Sequence, residues 1–220
     1  MAVNRAMLRD QIKDLLLQRI LDGDYSPGQR IVEIRVAEEL GVSQAPVREA
    51  LRELEMLRLV VSEPFRGARV RDVGPDEIAE AYPVRAALEE LAAKLAAPAL
   101  AGRGAPLAAE IEGMRGAAAE DDLQRFVRHD VAFHRVFVAA GANRTLMQVW
   151  ESLHVDLRTR VTLVQQVAGL GDVADSHVPI MDALVAGDGD RAGTLVREHI
   201  EGFGRAFVER SAAAARAEET

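Results

Sequence analysis

Five histidines stand in this 220-residue chain, at positions 129, 134, 154, 177 and 199, and there is no cysteine. Without thiols, disulfides and thiolate metal sites are excluded, so a metal would have to be held by imidazole and carboxylate. Asp130 and His134, in the run DVAFH, are four residues apart on a stretch with helical spacing. Side chains at i and i+4 project from one helix face, so both can reach one ion. His177 and His199 fall on two later helical stretches. One carboxylate and three imidazoles from three bundle helices suit zinc first, then nickel or manganese, with positions left open for water or an oxygen ligand. Spacing alone does not make the four converge, and each histidine by itself is equally well a surface residue or a bonded core residue. His129 and His154 are read as outside the ligand set. Arg85 has two roles open: pairing with the carboxylate of a bound acid, or an i,i+4 bridge to Glu89. Arg158 and Arg160 also have two, a pocket mouth or a solvated helix face.

Those residues need elements to hold them. After RDVGPDE, which marks a linker at residues 73–77, alanine, leucine, arginine and glutamate dominate and strand signal nearly vanishes. Apolar spacing predicts helices over about 76–99, 105–119, 121–140, 144–168, 174–187 and 190–212. The breaks fall at GRGAP, GANR, AGLGD and AGDGD, with Asn143 and either Asp188 or Asp190 as N-caps. Pro83 predicts a delayed start or a kink in the first of these helices. The expected architecture is an all-α antiparallel bundle over 78–212, followed by a frayed tail, 213–220.

A second constellation precedes the linker: EIRVAEELGVSQAPVREALRELEMLR, residues 33–58. Val36, Ala37 and Leu40 give a short helix its apolar face, and Gly41 ends it because a tight turn needs positive φ. Ser43 stands at an N-cap position and Pro46 in the first turn of the next helix, where a missing N–H costs little. Val47, Leu51, Leu54 and Leu57 or Leu59 form its buried face. Ser43, Gln44, Ala45, Arg48 and Arg52 are left outward, where base edges and phosphates would lie. Leu8, Ile12, Leu15, Leu16 and Ile20 predict a helix over 5–21, and DGDYSPGQRI a Pro–Gly turn. LVVS and ARVRD predict a hairpin around EPFRG, with Gly67 near its tip and Arg66 and Arg69 beside it. Three helices and a basic hairpin make a winged helix-turn-helix over 1–72, so the fold class is mainly α.

Length suits two modest domains, and 49% hydrophobic residues can fill two cores. The net charge of −8 looks wrong for a DNA binder until it is divided. Residues 1–72 hold 12 basic and 12 acidic residues, whereas 73–220 hold 15 and 23. Local charge, not the total, governs phosphate attraction, so the balance predicts modest non-specific affinity and reliance on a dimer. The most apolar run, LAAKLAAPALA, is interrupted by Lys94 and Pro98 and is too short to span a bilayer. No signal peptide is visible, and a cytoplasmic protein is expected.

The run GDYSPGQRIVEIRVAEELGVSQAPVREALRELEMLRLV resembles the DNA-binding domain of GntR-type bacterial transcription regulators. The PG turn, the E-x-x-x-A-x-x-L-G-V-S core and the PVREAL helix match in order. Gln44-Ala45 stands where many members carry Arg-Thr. Ile34 stands where many carry a polar or basic residue, with Arg35 the nearest arginine. Both departures leave the operator sequence unassigned. The second half resembles the FCD-type ligand-binding domain of the FadR-like branch, through RAALE at 85–89, DVAFH at 130–134, AAGAN at 139–143 and the His177 and His199 segments. The resemblance implies a metal site made of Asp130, His134, His177 and His199, and an Arg85 that faces the pocket.

Together these readings give a DNA-binding regulator, not an enzyme, acting as a homodimer on a short palindromic operator. Arg35, Ser43, Gln44, Ala45, Arg48, Arg52, Arg66, Gly67 and Arg69 are the expected DNA contacts. The resemblance implies repression relieved by a small organic acid held by the metal and Arg85. Two rivals remain: a purely structural metal with no effector, and a metal-dependent hydrolase fused to a DNA-binding domain. The hydrolase lacks an H-E-x-x-H arrangement to supply a base.

Overall fold

A computed structural model describes residues 5–56, 59–63, 67–71, 73–164 and 169–218. The chain divides into two compact units, Met1–Val73 and Gly74–Thr220.

The first unit contains α1 (Arg5–Asp22), β1 (Arg30–Ile31), α2 (Glu33–Leu40), α3 (Gln44–Met56), β2 (Val60–Glu63) and β3 (Gly67–Val70). Ile12, Leu16 and Ile20 recur on one face of α1, and Val47, Leu51 and Leu54 on one face of α3; all six are buried where the two helices pack. Between α2 and α3 the chain turns at Gly41, φ 64°, a left-handed conformation that costs glycine nothing. The Gly41 N–H donates to the Glu38 carbonyl and the Val42 N–H to the Ala37 carbonyl, so the last turn of α2 is closed by a paired cap. The strands form an antiparallel sheet in the order β1-β3-β2, with Val60 opposite Val70 and Arg30 opposite Arg69. Strand β1 lies where the sequence predicts only a turn, because two residues carry no readable alternation. It is held by pairing with β3, Ile31 opposite Ala68, and passes so close to Gly67, φ 88°, that a Cβ there would stand 2.5 Å from the Ile31 carbonyl oxygen. Glycine is therefore the residue that lets the hairpin close on β1.

The second unit is helical: α4 (Pro75–Leu100), α5 (Ala105–Ala119), α6 (Leu123–Ala140), α7 (Arg144–Ser152), α8 (Val155–Val164), α9 (Leu170–Asp175), α10 (Val178–Val185) and α11 (Gly189–Glu218). Helix α4 turns Ala86, Ala92, Ala93, Ala96 and Ala97 inward, and these small side chains let α11 and α6 approach closely. At Gly204 of α11 a Cβ would stand 2.8 Å from the Tyr82 ring. Gly189 lies against Lys94 at the other end, so α4 and α11 run antiparallel. Phe126, Phe133, Phe137 and Trp150 fill the interior between helices.

Several expected boundaries move. Helix α4 starts at Pro75, inside the expected linker, because proline is well tolerated in a helix's first turn. It continues through Pro83 and does not begin after it. The single helix expected over 144–168 is two, separated at His154, whose φ of 46° cannot continue a helix. Residues 165–168 of that stretch lie outside the described residues. The helix expected over 174–187 is also two: α9 reaches back into the AGLGD break, and α10 begins at Val178. Helix α11 extends to Glu218, so the alanine-rich tail is helical, as alanine's propensity favours. Asn143 and Asp188 do cap: their side chains accept from the Leu146 and Arg191 N–H groups at 3.1 and 3.0 Å.

Candidate metal centre and DNA-binding surface

Helix α6 carries Asp130 and His134 one turn apart, both buried. His177 is the residue just before α10, and His199 lies about a third of the way along α11. The three imidazoles converge: one nitrogen of each lies within 4.8 Å of the others. Asp130 joins them through His177, its Oδ1 standing 3.3 Å from His177 Nε2.

The second nitrogen of each ring explains why the first is available. His177 Nδ1 lies 2.9 Å from the Val173 carbonyl, which can only accept, so Nδ1 carries the proton. The Ser176 hydroxyl donates to the same carbonyl at 2.6 Å, leaving its oxygen to accept from His199 Nδ1 at 3.3 Å. His134 Nδ1 donates to Glu89. In a neutral imidazole a proton on Nδ1 puts the lone pair on Nε2. The Nε2 atoms of His134 and His177 are buried and meet no hydrogen-bond partner in the protein. Two orphaned lone pairs beside a buried carboxylate are costly unless a cation lies between them. The donor set is nitrogen and oxygen, as zinc, nickel or manganese accept, and all three rings are oriented from behind. These residues fit a divalent metal.

Glu89, fully buried on α4, organises the rear of the site. Its Oε1 accepts from Arg85 Nε and from Trp150 Nε1, both at 2.7 Å, while Oε2 accepts from His134. Burial pushes the Glu89 carboxyl up, but Arg85 and His134 outweigh it and hold the group down at about 2. Asp130 is likewise pushed up by burial and brought below its ordinary value by His177, His134 and Arg85. Burial holds the His199 imidazole well below 6.5, with His177 and His134 adding to the effect.

A small cavity adjoins the imidazoles, lined among others by Tyr82, Arg85, Asp130, Thr159 and Thr162. Its free space of about 20 Å³ holds a water or two. Arg85 spends Nε on Glu89 and reaches Thr159 Oγ1 with Nη1 at 3.2 Å, so it bridges Glu89 and lines the cavity at once. Tyr82 Oη and Thr162 Oγ1 are 2.9 Å apart on another wall. Sequence reasoning missed Glu89 as an organiser, and missed Trp150, Ser176, Thr159 and Thr162. The one available signal was the placement of Glu89 among inward-facing alanines.

His129 and His154 lie outside the cluster. His129 pairs with Glu110 at 2.8 Å. Arg158 lines no part of the cavity wall and pairs with Glu77 at 2.7 Å.

In the first unit, Arg35, Ser43, Gln44, Ala45, Arg48, Arg52 and Arg69 are exposed and Gly67 is half-buried. Arg66 lies outside the described residues. Arg48 is not a loose cation: its Nε and Nη2 hold Glu33 of α2 at 3.0 and 2.9 Å. Arg69 donates from Nη1 to the Gly28 carbonyl at 2.5 Å, pinning the hairpin to the Pro–Gly turn.

The family model for bacterial regulatory proteins of the gntR family matches residues 8–70, and that for the FCD domain matches 80–202. A probable D-xylose utilization operon transcriptional repressor of Paenarthrobacter nicotinovorans is 34% identical over 201 residues, 91% of this chain and 89% of its own. The gluconate operon transcriptional repressor of Bacillus subtilis is 28% identical, over 79% and 74% of the two chains. Among solved structures, a putative GntR regulator from Rhodococcus sp. RHA1 superposes with a TM-score of 0.80 at 25% identity, covering 91% of this chain and 97% of its own. McbR/YncC of E. coli shares the fold, with a TM-score of 0.78 at 23% identity, over 92% and 98%. With a winged helix-turn-helix at residues 8–70 and an FCD domain at 80–202, the chain belongs to the GntR family of transcription regulators.

Proposed function

We propose that the chain is a repressor that binds a short palindromic operator as a homodimer and is controlled by a small carboxylate held at a metal in its second unit. The observation that carries the sensory part is the convergence of three imidazoles, each fixed through Nδ1, beside a cavity lined by Arg85, Thr159 and Thr162. His134, His177, His199 and Asp130 would hold the metal, which when bound supplies a Lewis-acid contact for a ligand oxygen. Arg85 orients the other end of the carboxylate. Exposed Gln44 and Arg48 on α3 read base edges, and Arg35, Arg52 and the hairpin residues Arg66, Gly67 and Arg69 follow the backbone. The related repressors are named for a gluconate operon and a D-xylose utilization operon, so sugar-derived acids are the first compounds to try.

The test has two arms. Zinc-loaded protein is melted against a panel of small acids, alongside Asp130→Ala/His134→Ala. Duplexes selected by the protein from a random pool are then titrated with and without any acid that shifts the melt. A shift lost in the double variant, with operator affinity changed about 5-fold or more, supports the reading. Arg48→Ala should weaken operator binding by about 1–3 kcal/mol. The tightness of the cavity favours a second reading, in which the metal only braces the bundle. Strong destabilisation by chelation with no response to any acid selects that one.

A further inference from the structure

We propose that the acid site continues past Tyr82 into a cleft between α4 and α11, with Tyr82 as the partition that sets how long an acid is accepted. This rests on the reading that the second unit senses a carboxylate, and it names the class of acid. The free space of about 20 Å³ beside Arg85 is too small for any acid beyond its carboxylate head. The cleft offers about 440 Å³, the size of an ordinary small-molecule site. Its walls include Ile78, Ala79 and Pro83 of α4 and Gly204, Arg205 and Val208 of α11. Among the described residues, Tyr82 alone lines both spaces.

The Tyr82 ring, 3% exposed, stands between the two. On the cavity side the Arg85 guanidinium carbon lies 5.7 Å from its centroid. On the cleft side the ring lies against Gly204, where a Cβ would not fit. One hydrogen bond latches its hydroxyl. The Thr162 hydroxyl donates to the Thr159 carbonyl at 3.0 Å, so Thr162 Oγ1 is left to accept from Tyr82 Oη at 2.9 Å. Swinging the ring breaks that bond and orphans no donor on Thr162. The cleft supplies partners for a tail. Pro83 has no N–H, so the Ala79 carbonyl lacks the donor that an unbroken helix would give it. Arg205 is exposed and makes no hydrogen bond or ion pair among the described residues. Glu201 and Glu209 line the cleft one turn to either side of Arg205. These two carboxylates repel a second anionic group, whereas hydroxyls donate to them and to the Ala79 carbonyl and accept from Arg205. The class of ligand is therefore a monocarboxylic acid with a neutral, hydroxylated tail, its head at Arg85 and its tail in the cleft.

The experiment uses the full zinc-loaded chain and three acids, acetate, glycerate and gluconate, titrated by calorimetry, with circular dichroism and zinc binding as folding controls. Val208→Trp fills the cleft from the α11 wall, away from the imidazoles. It should weaken gluconate about 10-fold or more and acetate less than about 2-fold. Tyr82→Phe keeps the partition and removes its latch, so gluconate should tighten about 2–10-fold, the scale of one hydrogen bond. Occupancy is read separately from affinity. The chain has no cysteine, so the thiol of Ala79→Cys, at an exposed position, is the only one open to iodoacetamide. Gluconate should slow that alkylation, and the protection should vanish when Asp130→Ala/His134→Ala is added. Acids whose affinities neither substitution moves, or that leave the alkylation rate unchanged, overturn the extended site and leave carboxylate sensing in place. Protection that survives the added double substitution makes the cleft a separate site and overturns the partition. If none of the three binds wild type or Tyr82→Phe, the extended site falls, whereas carboxylate sensing falls only with the full panel of acids.

Discussion

The most consequential side chain in the second unit belongs to no candidate ligand. Glu89 receives hydrogen bonds from Arg85, Trp150 and His134, and so ties α4, α7 and α6 together behind the imidazoles. It is a positioning residue. Glu89→Gln should lower zinc affinity about 10–100-fold, measured against a competing chelator, because His134 loses the anionic acceptor that fixes its ring. An unchanged affinity would mean that packing alone aims His134. The four ligand candidates were legible in the sequence through the resemblance to the FCD domain, because spacing alone left each histidine an ordinary surface or core residue. The role of Glu89 was not legible, since it depends on donors 4, 45 and 61 residues away meeting at one carboxylate. Arg85 was read as either an i,i+4 bridge or a pocket residue. The bridge to Glu89 forms, and the same guanidinium lines the cavity wall.

At the scale of elements, strong periodicity was enough for α1, α2, α4 and α5, and Gly41 was legible as the end of α2 because few residues accept φ 64°. Nothing lies within 4 Å of a Cβ built there, so Gly41→Ala tests the backbone alone. It should cost the first unit about 1–2 kcal/mol, or about 4–8 °C of melting temperature per kcal/mol. A larger loss would point to a helix-turn-helix that has shifted. Two misplaced boundaries, the start of α6 and the α7–α8 break, share a cause. Asp121, Ala142 and His154 each take positive φ, at 54°, 50° and 46°, without being glycine. Of these, only Ala142 lay within a break that the sequence announced, GANR. The α7–α8 break at His154 has no such signal, because tertiary packing, not local propensity, imposes it.

For the whole molecule, the division at Val73 and Gly74 should separate metal-dependent from metal-independent stability if the second unit holds a metal as proposed. Zinc at about 100 times its dissociation constant should stabilise the second unit by about 2.7 kcal/mol, and hydrogen exchange should show no matching protection in the first. Uniform protection would mean that the units unfold as one. Without metal, pH adds a second signature. His199 is held below 6.5 when folded, mainly by burial, so the unfolded chain takes up its proton first. Stability is then level above pH 6.5 and falls as pH drops below it, by at most about 1.4 kcal/mol per pH unit for this one group. Melts between pH 7.5 and 5 should show that slope, and His199→Asn should flatten it. Glu89, at about 2, keeps its charge across this window.

Helix α4 also has a mechanical reading. It is a rigid beam that begins where the two units divide, and it is clamped at Glu89, 14 residues in from Pro75. At 1.5 Å per residue the stretch from Pro75 to Glu89 is about 21 Å long, and it is held on the way by Tyr82 against Thr162 and by Glu77 against Arg158. A shift that reseats Arg85 must therefore carry Tyr82 and Glu77 with it before it can reach Gly74, where the second unit begins.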